Sequence, residues 1–499
     1  MASYLEASGI LLISALALSS ATSCRPELGG SSAPAHQPTV GKILNTADPG
    51  SVISPSYFGI HINKQTTPWP TFSTFGALRS LGGQIKWADI ETCDGGSDPT
   101  NPCYNWTKFD YETNLALSNG ADVLFTTYAT PTWASSRGAR CIAFGVPDSG
   151  CTGPADRACA FQSQNGPGIC DPPDDIDAVP GSGRADGTNQ HFRDFITAVL
   201  AHAGPGVIKY WEVWNEPNIN SEWNNTVGTK AQLLRIAGDL RQIVQSADPD
   251  ALFTTPAVAN ALYGGLVNWL QPYLLAGGGD LADVVAFHGY IQAGQCPASC
   301  PVPEREAALI DRLRTVMANT GQTGKPIFDT ENSWGEKSLT IDWNARVSFV
   351  GRMYLVSMSQ GVDRLYWYGL DFPINPAIGG SGEFWARDGN RDGCDIAGDG
   401  GGDVCPAGIA VQQIYQWTVG ASFYQPCSSV GTTWTCGLTR PNGYQALAVW
   451  NSSGIPGDFA VPDGYVQYRM LDGSLVTIDL NNPTIGITDQ PVLLENQDP

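Results

Sequence analysis

The sequence predicts an α/β protein whose main domain is an eight-stranded (β/α)8 barrel, a TIM barrel, followed by a small C-terminal antiparallel β-sandwich. The chain has 499 residues, 42% of them hydrophobic, which is enough for a barrel of about 250 residues or more and a smaller domain. From about residue 50, short apolar runs alternate with segments of helical period, as in parallel sheets. After about residue 420 the pattern changes to short stretches of alternating polarity, which are typical of antiparallel strands.

The barrel is predicted to occupy residues 50–420. Its strands are nearly all apolar, as expected when both faces of a strand are buried. The eight predicted strands are 57–62, 84–88, 122–128, 208–214, 251–255, 283–288, 326–329 and 364–368. The clearest predicted helices are 190–203, 230–246, 304–320, 344–360 and 407–419.

The C-terminal sandwich is predicted to occupy residues 421–499. Its predicted strands are 432–438, 444–450, 465–470, 475–480 and 491–494. Because no long linker separates this domain from the barrel, we expect it to pack on the barrel rather than act as a free binding module.

The N-terminus favours export of the protein. Residues 10–18 form an apolar run that is too short to span a membrane, so residues 1–24 are predicted to be a signal peptide. The small residues before Cys24 resemble a bacterial lipobox, which would make Cys24 the site of a lipid anchor. The alternative is cleavage near Ala21 with a soluble product. Residues 25–49 are predicted to be a linker and a lead-in strand.

Charge and cysteine content narrow the function classes. With 27 Lys and Arg against 48 Asp and Glu, the net charge is −21, which disfavours nucleic acid as a partner. Apart from Cys24, the twelve other cysteines fall into local pairs, and the five histidines favour disulfides over zinc sites. The predicted pairs are Cys93/Cys103, Cys141/Cys151, Cys159/Cys170, Cys296/Cys300, Cys394/Cys405 and Cys427/Cys436.

Two long loops, 134–186 and 371–405, follow predicted strands three and eight on the side where barrels carry their sites. The second loop contains a D-x-N-x-D-G pattern with the ligand spacing of a calcium loop. Its candidate ligands are Asp388, Asn390, Asp392 and Asp399, and the ion would have a structural role. The alternative is an Asp- and Gly-rich turn closed by a disulfide.

Two predicted strands end in a glutamate. Strand four runs into Glu216, and strand seven runs into Glu331. In a TIM barrel these strands stand across the mouth from each other, and reactive groups lie at the C-terminal strand ends. Hydrolysis of a glycoside with retention needs two carboxyl groups about 5–5.5 Å apart. The pair therefore predicts glycoside hydrolysis.

The residues around this pair resemble clan A of the glycoside hydrolases. The resemblance rests on Asn215-Glu216-Pro217 at strand four and on the second glutamate at strand seven. The segments FGIHI, TTYATPTWAS, FHGY and GKPIFDTEN are similar to family 39 and related retaining β-glycosidases. The resemblance covers roughly residues 55–420, which is the whole predicted barrel.

The resemblance implies roles at the reacting bond. Glu216 would be the acid/base and Glu331 the nucleophile. Asn215 would donate to the sugar 2-hydroxyl, and His288 or Tyr290 would orient Glu331.

Other residues would shape the subsite for the reacting sugar. Trp367 would form its apolar floor, and His61 would line it. Lys86, in predicted strand two, departs from the clan pattern, in which many members carry Arg near that point. Trp133, in the loop after strand three, is either a subsite wall or a loop-packing residue.

The sequence therefore predicts a retaining hydrolase of a β-linked polysaccharide or oligosaccharide, with a xylosidase-like enzyme as the leading hypothesis. Its partner would be a carbohydrate, and no cofactor would be required because water completes the cycle. Two alternatives remain, an endo-acting glycanase of the same clan and a non-catalytic carbohydrate-binding surface protein. The long loop 134–186 could block one end of a groove, which favours exo action.

Overall fold

The computed structural model describes most of the chain after residue 50, and all the described residues belong to one compact unit. The described ranges are 51–63, 67–81, 85–135, 168–177, 187–220, 222–224, 228–259, 261–291, 302–334, 343–371, 384–386 and 403–497. The predicted signal peptide, the linker, Cys24 and the predicted calcium ligands Asp388, Asn390, Asp392 and Asp399 lie outside these ranges.

Eight parallel strands form the barrel, in the order β5-β4-β3-β2-β1-β8-β7-β6. A parallel bridge between Thr254 and Val284 joins β5 to β6 and closes the circle. The strands are β1 Phe58–Ile60, β2 Ala77–Ser80, β3 Asp122–Thr127, β4 Tyr210–Val213, β5 Leu252–Thr254, β6 Val285–His288, β7 Ile327–Asn332 and β8 Arg364–Trp367. The predicted fold class is confirmed.

Helices cover the outside of the barrel. They are α1 Trp87–Ile90, α2 Thr107–Ser118, α3 Gln190–Ala203, α4 Lys230–Ala247, α5 Gln271–Tyr273, α6 Arg305–Asn319, α7 Trp343–Ser359 and α8 Pro406–Thr418. Two π-helical segments, Gly265–Leu270 and Leu274–Gly278, flank α5, and 3-10 turns cover Pro55–Tyr57 and Ala261–Tyr263. The five helices predicted from periodicity agree with the structure to within one residue at each end.

The second strand is the one barrel strand that the sequence analysis misplaced. The apolar segment 84–88 was expected to be this strand, but α1 begins at Trp87, within that segment. The strand is Ala77–Ser80, which pairs with β1 through Gly59 and Ala77 and with β3 through Arg79 and Leu124. A buried arginine at the third of its four positions hides it from a search for apolar runs.

Alternation along the strands decides which side chains enter the barrel. One cluster of buried residues, taken from six strands or strand ends, fills the interior. It contains Ala77, Leu124, Tyr210, Val284, Phe328 and Tyr366. Because strand side chains point alternately to opposite faces, Arg79 and Glu212 also face inwards, two residues beyond Ala77 and Tyr210. The interior thus has an apolar layer between two charged ones, because Arg364 pairs with Asp122 at the strand starts and lies against the rings of Tyr210 and Phe328.

The C-terminal region is antiparallel, as predicted. A six-stranded sheet has the order β11-β12-β13-β18-β15-β16, and β14 pairs with β17 in a separate two-stranded sheet. The strands are β11 Ser422–Val430, β12 Thr433–Thr439, β13 Gln445–Asn451, β14 Gly457–Ala460, β15 Gln467–Arg469, β16 Leu475–Thr477, β17 Thr484–Ile487 and β18 Val492–Glu495. The sequence analysis missed β11, β14 and β17. A short pair, β9 Trp385–Ala386 and β10 Asp403–Val404, precedes α8.

This sheet packs directly on the barrel. The Trp450 indole of β13 donates a hydrogen bond of 2.6 Å to Glu304, next to the start of α6. Arg352 of α7 also donates to Glu304, at 3.3 Å, and all three side chains are buried. Burying a charged acceptor is unfavourable unless it is paired and hydrogen-bonded, so these contacts fix the sheet against α6 and α7.

Two of the predicted disulfides lie within the described residues, Cys93–Cys103 and Cys427–Cys436. Cys170 and Cys405 are also disulfide-bonded, and their predicted partners lie outside the described ranges, as do the other two predicted pairs. In the part of the chain that the structure describes, no helix has the length and apolarity needed to cross a membrane.

We expect Trp450→Phe to lower the free energy of unfolding by about 1.5–3 kcal/mol, because it removes a hydrogen bond to a buried charged acceptor. Urea unfolding followed by circular dichroism measures the change. Trp434→Phe is the matched control, since the half-buried Trp434 ring stacks on Trp450 at 5.8 Å. Equal losses in the two variants would show that the Glu304 contact contributes nothing beyond ring packing.

Candidate active site

Arg79 of β2 is the centre of a cluster of polar side chains at the C-terminal strand ends. Its Nε donates to Glu212 at 2.7 Å, and its two terminal nitrogens donate to Glu331 at 2.9 Å and to Asn215 at 2.8 Å. The guanidinium is fully buried. A planar group with five N–H donors can serve three acceptors in this way, which the point charge of a lysine cannot do.

Glu212 anchors the cluster in the barrel. Besides Arg79, it accepts hydrogen bonds from the Thr126 hydroxyl at 2.7 Å and from the Thr330 hydroxyl at 2.8 Å. The carboxylate has no exposed surface. Glu212 is the next-to-last residue of β4, and its side chain points into the barrel, where it is a buried partner of the arginine.

The end of β4 leaves the regular strand conformation. Trp214 and Glu216 have positive φ angles of 62° and 39°, which cost energy for residues other than glycine. The Trp214 indole is buried and donates to the Glu222 carbonyl at 2.8 Å. Asn218 exchanges two hydrogen bonds with the Ala259 backbone, at 2.9 and 2.8 Å. These contacts hold the strained turn, so that Asn215 and Glu216 both reach the cluster.

Glu331 receives donors from two directions. Arg79 donates to its Oε2, and the Tyr290 hydroxyl donates to its Oε1 at 2.8 Å. The residue is 9% exposed, so it reaches the edge of the buried cluster. A guanidinium on one oxygen and a hydroxyl donor on the other fix the orientation of this carboxyl group.

Glu216 is in a different environment. Its Oε1 lies 2.7 Å from Nδ1 of His288. Burial raises the pKa of Glu216 to about 7, while Arg79 lowers this pKa and Glu212 raises it. Burial also lowers the pKa of His288 to about 4, so the imidazole is neutral at neutral pH. A neutral ring with its proton on Nδ1 can donate to Oε1 of Glu216, both while the other carboxyl oxygen is protonated and after that proton has left.

The two carboxyl groups are close together. Side-chain oxygens of Glu216 and Glu331 and a ring nitrogen of His288 lie within 4.8 Å of one another. His288 Nε2 is 3.9 Å from Glu331, so the histidine contacts Glu216 and Tyr290 contacts Glu331. The sequence analysis left open which of His288 and Tyr290 orients Glu331, and in the structure the tyrosine makes that hydrogen bond.

His61, at the end of β1, lies beside the cluster and is fully buried. Burial, with a further contribution from Arg79, lowers the pKa of His61 well below its usual value, so the ring is neutral. Its Nε2 lies 2.9 Å from the Thr330 carbonyl. Because a carbonyl can only accept, Nε2 carries the proton and Nδ1 presents a lone pair.

Trp367 does not face the cluster. Its side chain has no exposed surface, and it stacks on Tyr354 of α7 at 5.7 Å and on Phe384 at 4.9 Å. The expectation that Trp367 forms a subsite floor disagrees with this position. Since Tyr366 points into the barrel, alternation turns Trp367 outwards and Tyr368 inwards. The Tyr368 ring lies 5.3 Å from His61.

Lys86 and Trp133 lie further from the carboxylates. Lys86 precedes α1, and its ammonium is 5.9 Å from the ring centre of Tyr128. Arg79, rather than Lys86, makes the contact with Glu331. Trp133 is half-buried, and its indole donates to the Glu91 carbonyl at 3.3 Å.

Among the described residues, two side-chain groups have the composition of a metal site. One is Glu216, His288 and Glu331, whose atoms already hydrogen-bond as described above. The other is Asp174, Asp175 and His191 near the start of α3. Asp175 accepts the His191 amide at 3.0 Å, and Asp174 pairs with the His191 ring at 3.5 Å, which raises the pKa of that histidine. Helix capping and an ion pair account for this second group.

The sequence analysis missed Arg79 and Tyr368. The arginine was missed because strand two was predicted at 84–88, although the segment Gly76-Ala77-Leu78-Arg79-Ser80 lies between the first strand and that prediction. Tyr368 lies two residues after the inward-facing Tyr366, but the sequence of the predicted strand 364–368 does not show which of its residues face inwards.

Solved structures share this architecture. A family 39 glycoside hydrolase from Bacteroides cellulosilyticus WH2 aligns with a TM-score of 0.60 at 15% identity, covering 88% of this chain and 81% of that one. A β-xylosidase from Caulobacter crescentus CB15 aligns with a TM-score of 0.54 at 14% identity, and a family 30 xylanase C catalytic domain from Talaromyces cellulolyticus with 0.53 at 12%. Each of the last two alignments covers 90% of this chain and 97% of the other. This chain has the fold of these three enzymes. Neither a protein-family model nor a curated protein matches it.

We expect Arg79→Met to lower the free energy of unfolding by about 3–5 kcal/mol, because it leaves the fully buried Glu212 carboxylate without its guanidinium partner. Urea unfolding measures the loss. Adding Glu212→Gln to this variant should restore part of the stability, since the uncompensated charge is then gone. Unchanged unfolding midpoints in both variants would contradict a charge-bearing role for Arg79.

Proposed function

We propose that the protein is a retaining β-glycosidase in which Glu216 is the acid/base and Glu331 the nucleophile. The observation that carries this proposal is the contrast between two neighbouring carboxyl groups. One oxygen of each group lies within 4.8 Å of one oxygen of the other, which supports the short spacing of retaining enzymes, about 5–5.5 Å, over the about 6.5–9.5 Å of inverting ones. The pKa of Glu216 is raised to about 7, while Glu331 is paired with Arg79.

In the first step, a Glu331 oxygen attacks the anomeric carbon as the bond to the leaving oxygen breaks. Glu216 gives its proton to that oxygen, so the leaving group departs as an alcohol. The charge of Glu331 is consumed in the glycosyl ester, and Glu216 is left as a carboxylate. Arg79 then still has Glu212 as its counter-ion, so the guanidinium remains paired through the step.

In the second step, Glu216 takes a proton from water, and the resulting nucleophile attacks the anomeric carbon. The ester bond breaks, Glu331 recovers its charge, and Glu216 recovers its proton. His288 supports both states of Glu216, because a neutral ring with its proton on Nδ1 donates to Oε1 whether or not the other carboxyl oxygen carries the acid proton. The cycle consumes water and needs no cofactor.

Three further residues are proposed to bind the sugar. Asn215 is held by Arg79 through its Oδ1, which leaves its amide nitrogen to donate to the 2-hydroxyl. His61 offers its Nδ1 lone pair, and Tyr368 offers a ring face beside it. Trp133 remains a candidate for a more distant subsite.

We propose a β-linked xyloside as the substrate class. Two of the structures with this fold are named as a β-xylosidase and a xylanase, which supports a pentoside over other sugars. The disulfides support export to an oxidising compartment, where such polymers are met.

The proposed roles of the two glutamates can be tested with aryl β-glycosides as substrates. Glu331→Ala should lose activity on the order of 10⁴-fold or more, and Glu216→Ala about 10²–10⁴-fold on substrates with poor leaving groups. Azide should restore turnover in both variants. The glycosyl azide should have inverted configuration from Glu331→Ala and retained configuration from Glu216→Ala, as NMR will show.

The control is Glu91→Gln. Glu91 is also buried with a pKa raised to about 7, but it hydrogen-bonds Trp87 and Gly95 outside the pair. Its variant should keep wild-type activity. Full activity in Glu331→Ala would refute the two-glutamate mechanism, and binding of a polysaccharide without any hydrolysis would favour a carbohydrate-binding protein.

A further prediction concerns pH. Glu216 must be protonated to act as the acid, so activity is present below its pKa of about 7 and lost above it. We expect log kcat/KM to fall with a slope of −1 above pH of about 7. The same alkaline limb should appear in Glu91→Gln. If the alkaline limb shifts or disappears in Glu91→Gln, the group that titrates is Glu91 and not Glu216.

A further inference from the structure

Strand β7 contains one extra residue just before Glu331. Along β6, Phe287 pairs with Asp329 but His288 pairs with Glu331, so one residue of β7 is skipped. Along β8, Leu365 pairs with Asp329 and Trp367 with Asn332, which gives the same count. Both neighbours therefore define a β-bulge at Thr330 and Glu331.

The bulge decides where Glu331 points. Phe328 faces the barrel interior, so regular alternation would turn Asp329 outwards, Thr330 inwards and Glu331 outwards. Thr330 does reach Glu212 inside the barrel. Glu331 nevertheless contacts Arg79 in the same interior cluster. The extra residue has turned this carboxylate to the inner face.

Asp329 lies behind the bulge and holds it closed. Its Oδ1 accepts the backbone amide of Gly289 at 2.9 Å, and its Oδ2 accepts the Asn332 side-chain amide at 2.6 Å. The backbone amide of Glu331 donates to the same carboxylate. Asp329 is fully buried. One side chain thus receives donors from the residue after β6, from the bulge itself and from the residue after the bulge.

Gly289 connects this clamp to the other site residues, because it stands between His288 and Tyr290. Its amide is shared between Asp329 and the Glu331 carbonyl, at 2.9 and 3.1 Å. A side chain at this position would overlap Asp329 Oδ2 and Asn332 Nδ2. The contact therefore requires glycine, and it sets the direction in which Tyr290 leaves β6.

A second buried acid, Glu306 of α6, faces Asp329. Its two oxygens have no hydrogen-bond partner among the described residues. Burial, with a contribution from Asp329, raises the pKa of Glu306 well above its usual value. Burial also raises the pKa of Asp329 well above its usual value, but hydrogen bonds from three N–H groups oppose that rise, so we assign the proton of the pair to Glu306.

We propose that Asp329 is a positioning residue that holds the β7 bulge against Gly289 and thereby aims Glu331 and Tyr290 at the reacting sugar. This proposal rests on the proposed function, since it assigns Glu331 as the nucleophile. Asp329 itself lies on the outer face of the strand and does not contact the substrate site.

The test compares Asp329→Ala with Asp363→Ala. Asp363 is a buried carboxylate that accepts the Ile327 amide at 2.9 Å, at the opposite end of the same strand. Both variants lose a buried carboxylate bound to a strand amide, but Asp329 alone of the two faces the bulge. We expect kcat to fall about 100-fold in Asp329→Ala with KM within about threefold, and kcat within about twofold of wild type in Asp363→Ala.

Covalent labelling reports directly on the aim of Glu331. An activated 2-deoxy-2-fluoro-β-xyloside should esterify Glu331, and its labelling rate should fall in Asp329→Ala by the same factor as kcat. Asp329→Asn should recover most of the loss, because its carbonyl can still accept the Gly289 amide and Asn332 can turn its own amide. Equal kcat and labelling rates in Asp329→Ala and Asp363→Ala would overturn the proposal.

Gly289→Ala keeps the test decisive if Asp329→Ala does not fold. The Gly289→Ala variant retains Asp329, but the added methyl group forces the Asp329 carboxylate away from its position. We therefore expect kcat and the labelling rate to fall together while KM changes little. Wild-type kcat in a folded Gly289→Ala variant would also overturn the proposal. Failure of the proposed function looks different, because the wild-type protein would then cleave and be labelled by no glycoside.

Discussion

The buried guanidinium of Arg79 is the interaction on which the rest of the site depends. Two carboxylates, Glu212 and Glu331, share this cation, and the Glu212 side chain is fully buried while that of Glu331 is 12% exposed. Burying an unpaired carboxylate is unfavourable, and two of them side by side would also repel each other. The cation also lowers the pKa of Glu216, but burial outweighs it. One arginine thus serves as the counter-ion of two carboxylates, while the pKa of a third carboxyl group nearby is raised to about 7.

Regular strands alone could not have built this arrangement. On β4, left-handed backbone at Trp214 and Glu216 brings consecutive side chains to the cluster. On β7, an extra residue turns Glu331 to the inner face of the barrel, whereas regular alternation would place it on the outer face. Irregular backbone leaves polar groups that need partners, and the surrounding side chains provide them. His61, for example, donates to the carbonyl of Thr330, the residue at the bulge. Some residues expected to touch the sugar therefore also support the backbone.

The sequence was most informative where pattern and structure follow the same rule. Helix bounds were predictable because amphipathic periodicity persists over many residues, and the two glutamates were predictable from strand ends within a known motif. Strand β2 was not, because Arg79 is a buried charge in a strand of four residues and its partners come from two distant strands. The position of Trp367 was misjudged because the choice between it and Tyr368 depends on strand parity, which a shift of one residue reverses. Neither the β7 bulge nor the strained turn after β4 has a length or composition signal.

The β7 bulge also separates two carboxyl groups. Asp329 and Glu331 are two residues apart, and without the bulge they would share one face of β7. Two carboxylates on one buried face would repel each other and raise each other's pKa. The bulge places them on opposite sides, where Glu331 is paired with Arg79 and Asp329 accepts hydrogen bonds from backbone and side-chain N–H groups. Asp329 therefore does not compete with Glu331 for the guanidinium. The separation of charge across β7 and the direction of Glu331 then have a single structural cause, the one extra residue in the strand.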